Sequence, residues 1–251
     1  LPTHDLMIAA LDELRPRMEA LAGETEGTPW QALDLLSPVA NPGKLIAAPV
    51  NYFKHLQEAR GDEGIHFQNQ VGEIQKVGCF LKASSSLVGA SSPVAIRFPE
   101  RRNDHEIELA VIIGRKADRV PAARALDHVA AYTIGLDMTV RGPEERSMRK
   151  SIDTFSVLGP WMVTADEFGD AADVDLELTV NGEVRQKANT ADLIVTIPEL
   201  IEWTSRYYTL HPGDVIFTGT PDGVGPVTKG DTVRATIARI GTLEVAITEL
   251  A

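Results

Sequence analysis

Cysteine is almost missing from this 251-residue sequence, where Cys79 stands alone. A single thiol forms no internal disulfide and no cysteine-based metal framework, and such scarcity fits a reducing cytoplasm. Its flanks, Gly78, Phe80 and Leu81, read as a buried structural position. Positive charge is short as well: 24 Lys and Arg stand against 36 Asp and Glu, a net charge of −12. That balance disfavours nucleic acid and anionic membrane surfaces as partners. It says little about a small anion, which responds to the field of its own site. No apolar run approaches the length of a membrane span, and no basic-then-apolar leader opens the sequence, so a cytoplasmic protein is expected. There is no internal repeat and no low-complexity tract. A phosphate-binding loop, with Gly-Lys-Ser/Thr opening a helix, is also missing.

What is present centres on Asn103-Asp104-His105-Glu106-Ile107-Glu108-Leu109-Ala110-Val111-Ile112-Ile113-Gly114. The second half is branched and apolar and stops at glycine, which predicts a buried strand. Residues two apart share a strand face. Glu106 and Glu108 therefore align with Ala110 and Ile112, while Ile107, Leu109, Val111 and Ile113 take the other face. At about 4 Å and an effective dielectric of about 20, two like charges cost roughly 4 kcal/mol. A cation is expected there. A third carboxylate, Asp137, ends the apolar run Ala130–Leu136. Three oxygen donors suit a hard divalent ion such as Mg2+. A solvated edge, with the glutamates paired to Arg101 or Arg102, satisfies the same spacing.

Other segments place the remaining elements. Residues 4–22 carry apolar positions near helical spacing, with a kink or break predicted at Pro16. Lys44–Val50 reads as the first strand of the main body. Residues 51–76 are polar and aperiodic, the pattern of a mobile lid that opens with a short helix over His55–Arg60. Val157–Met162, Leu176–Val180 and Val215–Thr218 read as strands, with a turn at Asn181-Gly182. Pro198–Tyr208 reads as a helix, and Thr232–Arg239 with Leu243–Thr248 as a closing hairpin through Gly241. This is a strand-rich α+β chain without βαβ alternation. His55 and Glu58, three apart, share a helix face and can hydrogen-bond. A carboxylate on one imidazole nitrogen fixes the tautomer and leaves the other nitrogen able to take a proton from water.

An ordered set of segments resembles the fumarylacetoacetate hydrolase superfamily, in particular its short acylpyruvase-like members. The set is Asn51–Glu58, Phe80-Leu81-Lys82, His105–Ala110, Gly135–Arg141, Lys150–Asp153 with Gly159-Pro160, Asn181-Gly182 to Asn189-Thr190, Pro212-Gly213-Asp214, and Thr218–Gly225. The resemblance implies a mixed β-sheet roll over residues 44–251, and the helical spacing ahead of it reads as a small N-terminal subdomain over 1–43. It implies Mg2+, with Mn2+ or Ca2+ as alternatives, held by Glu106, Glu108 and Asp137. It assigns His55 and Glu58 to activation of the attacking water and Lys150 to the reacting carbonyl. Lys82, Arg141 and Thr220 become substrate contacts. The implied reaction is hydrolysis of a carbon–carbon bond in a 2,4-dioxo acid, a small anionic keto acid, by a homodimer. Isomerisation or decarboxylation on the same metal site is the alternative, and a non-catalytic metal-stabilised module is the alternative from another class. The loop after Arg141 departs from the family pattern: Gly142-Pro143 follows, and the span to Lys150 is short.

Overall fold

Beyond Glu108 the strand Ile107–Ile113 is apolar on both faces, and such a strand is stable only with a packed layer on each side. The computed structural model, which describes residues 4–67 and 71–250, sets this strand at the middle of a seven-stranded mixed sheet. In chain order the strands are β1 (Leu45–Ala47), β2 (Phe80–Lys82), β3 (Leu87–Val88), β4 (Val94–Ile96) and β5 (Asn103–His105). Next come β6 (Ile107–Ile113), β7 (Val129–Asp137), β8 (Thr139–Val140), β9 (Ser156–Thr164) and β10 (Asp175–Val180). The last are β11 (Glu183–Asn189), β12 (Val215–Phe217), β13 (Gly225–Pro226), β14 (Thr232–Ile237) and β15 (Gly241–Glu249).

The large sheet runs β2-β1-β12-β6-β7-β9-β3, with β1 parallel to β12, β3 parallel to β9, and the other neighbours antiparallel. A second sheet runs β11-β10-β14-β15-β4, and a small third one β13-β5-β8. The alternation predicted for β6 holds. Ile107, Leu109, Val111 and Ile113 enter the main core with Leu176, Leu178, Val233 and Leu243 of the second sheet. Ala110 and Ile112 face a separate cluster that includes Ile8, Val39, Leu45 and Phe217. Gly135 lies opposite Glu108 in the β6–β7 register, and a Cβ there would come within 2.7 Å of the Phe217 ring. That glycine lets the strand pair close tightly just where the carboxylates emerge.

The late helix forms at Ile197–Tyr207, started by a capping box between Thr196 and Glu199. Asn181 and Gly182 both take positive φ, as a tight primed hairpin turn requires. Two expectations are corrected. The N-terminal helix breaks at Ala10, between Leu6–Ala9 and Leu11–Glu24, and runs on through Pro16. It lies on the surface, where water can satisfy the carbonyl that Pro16 leaves without a donor. Its Leu14, Met18 and Leu21 stay exposed. The polar segment after residue 51 also holds more helix than its pattern predicts, at Phe53–Gly61, Glu63–His66 and Ile74–Val77. Its first helix buries His55, Leu56 and Ala59 on one face, and Ala59 joins Ile65 and Val224 in a small cluster. The face reads as aperiodic because one of its buried positions is a histidine. Residues 68–70 of that segment lie outside the described residues. Among the described residues, no helix is long and apolar enough to cross a membrane.

Candidate active site

The β6–β7 register places Ile107 opposite Leu136, so Glu106 and Asp137 meet at the same end of the pair. The Asp137 N–H donates to the Glu106 carbonyl at 2.9 Å. Strand alternation brings Glu108 to the same side as Glu106. Oxygens of Glu106, Glu108 and Asp137, all buried, lie within 4.8 Å of one another. The bland alternative of a solvated edge does not apply. Arg101 is taken by Glu144 and the Arg141 carbonyl, and Arg102 by Asp104 and Asp62.

Two lysines and an arginine stand against the triad instead. Lys150 donates to Glu106 at 2.6 Å and to Asp137 at 2.7 Å. Lys82 donates to Asp137 and, at 2.8 Å, to the Phe155 carbonyl. Arg141 bridges Asp104 at 2.8 Å and Glu106 at 2.9 Å. This coverage is uneven. Burial would raise the Glu106 carboxyl, but Lys150 and Arg141 outweigh it and hold the group well below the ordinary carboxylate value. For Glu108, burial and the neighbouring Asp137 charge push the carboxyl well above that value. Among the described residues its one hydrogen bond is accepted from the Gly219 N–H, at 2.6 Å. A buried carboxylate short of positive charge, beside two others, fits a divalent cation, and the all-oxygen donor set is that of a hard ion.

Above the triad opens a cleft. His55, Glu106, Glu108, Asp137, Arg141, Arg146, Arg149, Lys150 and Thr220 reach it, with Phe80 as an aromatic wall. His55 Nδ1 and Glu58 Oε2 are 2.9 Å apart, and the other oxygen of Glu58 accepts the Gly223 N–H at 2.9 Å. With Nδ1 bound to a carboxylate, Nε2 carries the lone pair, and it has no protein partner among the described residues. Thr220 accepts a hydrogen bond from Gln186 at 2.8 Å, which leaves its own O–H to donate.

Eight of the nine residues singled out from the sequence therefore gather at or directly support one cleft. Lys82 is the correction. Its ammonium is fully buried on Asp137 beneath the triad and does not line the cleft, so the structure makes it a counter-ion where a substrate contact was expected. Sequence reasoning gave no individual role to Gln186, Asp104 or Arg146. Gln186 is wholly buried and makes four bonds: it accepts from Ile107 N–H and His105 Nδ1, both at 3.1 Å, and donates to Thr220 and the Pro221 carbonyl. Its strand, β11, is otherwise mostly exposed, so no alternation marks it.

Residues 44–248 match the family described as fumarylacetoacetate (FAA) hydrolase C-terminal. The chain is 54% identical over 249 residues to a maleylpyruvate hydrolase of Aquipseudomonas alcaligenes, covering 98% of this chain and 87% of that protein. It superposes with a TM-score of 0.85 and 41% identity on a maleylpyruvate hydrolase from Sphingobium sp. SYK-6, solved in complex with manganese(II) and pyruvate; the match covers 98% of this chain and 85% of that one. A 5-carboxymethyl-2-hydroxymuconate delta-isomerase from Mycobacterium smegmatis matches at TM-score 0.76 and 36% identity, over 90% and 86% of the two chains. By fold, by sequence and by the extent of the match, the chain belongs to the fumarylacetoacetate hydrolase C-terminal family.

Proposed function

We propose that the chain is a divalent-metal-dependent hydrolase that cleaves a carbon–carbon bond in a 2,4-dioxo acid of the maleylpyruvate type, releasing pyruvate and a carboxylic acid. One observation carries the choice of hydrolysis: His55, bonded to Glu58, lines the same cleft as the carboxylate triad. Isomerisation or decarboxylation needs enolate stabilisation but no attacking water, and a structural metal module needs neither.

Glu106, Glu108 and Asp137 would hold the ion, with Mg2+ as the proposed resident and Mn2+ as a competent substitute. When bound, it supplies Lewis-acid polarisation of the keto-acid end of the substrate. The protein's own groups do the rest. Glu58, held from behind by Gly223 N–H, fixes His55 with its proton on Nδ1. Nε2 of His55 then takes a proton from water as that water attacks the distal carbonyl carbon. Lys150 has three N–H donors, of which two are spent on Glu106 and Asp137. The third is available to the oxyanion that forms on the attacked carbonyl. Collapse breaks the bond between the attacked carbon and its neighbour, pyruvate leaves as its enolate, and the proton held on His55 Nε2 passes to that enolate. Thr220 and Arg141 are the proposed contacts to the substrate carboxylate.

The test is direct. The purified protein with Mg2+ should release pyruvate from maleylpyruvate, followed by coupling to lactate dehydrogenase. Consumption of substrate without pyruvate would favour the isomerase reading, and no consumption would sink both. A cytoplasmic homodimer is proposed as well. Exposed Leu14, Met18, Leu21 and Trp30 leave apolar surface for a second copy to cover. Sedimentation equilibrium decides the mass.

A further inference from the structure

Most cations at the cleft already have partners. Arg141 is held by Asp104 and Glu106, Lys150 by Glu106 and Asp137, and Arg149 by the carbonyls of Glu144 and Val140. Arg146 differs. Among the described residues its guanidinium meets no carboxylate and no carbonyl oxygen, and its contact is the face of Phe80, 5.5 Å from the ring centroid. The adjacent Glu145 accepts the Ser147 N–H at 3.1 Å, and its charge favours the Arg146 guanidinium without forming an ion pair with it. Burial lowers Arg146 from the ordinary guanidinium value, so the group is partly stripped of water without an ion pair in exchange. Charged groups at such positions are normally paired. A planar guanidinium facing a cleft is well suited to a carboxylate, which it can grip through two parallel N–H bonds.

Its place relative to the chemistry follows from the short loop that departs from the family pattern. After Gly142-Pro143 the chain enters a single helical turn, Arg146–Lys150, which puts residues 146 and 150 on one face. Both cations lie against the same ring, with Lys150 Nζ 5.8 Å from the Phe80 centroid. Lys150 is the one bonded to the triad. A dioxo acid with its keto-acid end at the triad and its reacting carbonyl at Lys150 would run its acyl chain along Phe80 toward Arg146.

We propose that Arg146 binds a carboxylate at the far end of the acyl chain, so that the cleft selects dioxo acids with a second, terminal carboxylate over those ending in an alkyl group. The inference rests on the hydrolase reading for the direction of the substrate, but its test does not depend on turnover. Two seven-carbon keto acids differ only at that end: 2-oxoheptanedioate and 2-oxoheptanoate. Titration calorimetry of each into the Mg2+-loaded protein should show the diacid binding about 10- to 100-fold more tightly, the usual worth of a hydrogen-bonded charge pair. In Arg146→Gln the ratio should fall to within about threefold of unity, and Arg146→Lys, which keeps the charge but loses the fork, should lie between.

A parent protein that binds both acids equally would overturn the proposal, whether or not the variants fold. So would a preference that survives in Arg146→Gln. Equal weakening of both acids in that variant, with the ratio intact, would place Arg146 on the keto-acid end and likewise overturn it. A preference that Arg146→Gln abolishes, in a protein that releases no pyruvate from maleylpyruvate, would support the subsite and refute the hydrolase reading alone.

Discussion

Replacing Glu58 by Gln tests the dyad at the level of single protons. In the parent, one oxygen of Glu58 accepts from His55 Nδ1 and the other from Gly223 N–H, both at 2.9 Å. An amide of the same shape has one acceptor and one donor end. If its oxygen faces His55, its NH2 meets the Gly223 N–H, donor against donor, and an orphaned partly buried group costs about 1–3 kcal/mol. If its oxygen stays on Gly223, the NH2 donates to Nδ1 and every bond is kept. The second arrangement wins, but it moves the imidazole proton to Nε2, the nitrogen needed as the base. Glu58→Gln should therefore fold and melt like the parent, within about 1 kcal/mol, and bind metal normally. Its kcat should fall by roughly 10²–10⁴, the full worth of a general base. The assay is pyruvate release under saturating maleylpyruvate, with metal content and a thermal melt measured on the same preparation. A variant within threefold of the parent rate would refute the tautomer argument, and so would a large rate loss accompanied by lost metal.

Chelation should abolish turnover, and Mg2+ or Mn2+ should restore it; Glu106→Ala should lose both metal, measured by elemental analysis, and activity. In metal-free protein Glu108 sits above its unfolded value because of burial and Asp137, so its contribution to stability is complete below about pH 4.3 and is lost as pH rises through the folded value. Chelated protein should accordingly show a melting temperature that declines from about pH 5 upward, and Glu108→Gln, which can still accept from Gly219, should flatten that slope; an identical slope in the variant would count against it. Gln186→Leu should cost about 2–5 kcal/mol in urea denaturation, because buried Ile107 N–H and His105 Nδ1 lose their acceptor while the Pro221 carbonyl loses its donor; a change under about 0.5 kcal/mol would refute it. Burial pushes the Cys79 thiol up to about 12, so iodoacetamide labelling of the folded protein should stay slow between about pH 7 and 10 and rise only on unfolding.

Much of this protein is readable from the order of its residues. The period-2 pattern of Glu106–Ile113 dictates two carboxylates on one face and two apolar layers, because strand side chains alternate whatever the strand packs against. The capping box at Thr196 and the Asn181-Gly182 turn are equally local, since each is a bond or backbone preference within a few residues. His55 and Glu58 meet because a helix brings residues three apart together. Other features depend on contacts between distant segments, for which the sequence holds no local signal. Lys82 reads as a strand-end lysine able to reach substrate, and only the pairing of β2 with β1 and the approach of Phe155 decide that it is buried under Asp137. Glu58 reads only as the hydrogen-bond partner of His55 until Gly223, 165 residues away, takes its second oxygen. Gln186 and Arg146 carry nothing in their neighbours to mark them. The first matters because it joins β6 to the Thr220 turn, and the second because, among the described residues, nothing in the folded chain pairs with it. Local rules set which groups are available, while the tertiary structure decides which of them are already spent on one another and which are left to meet a ligand.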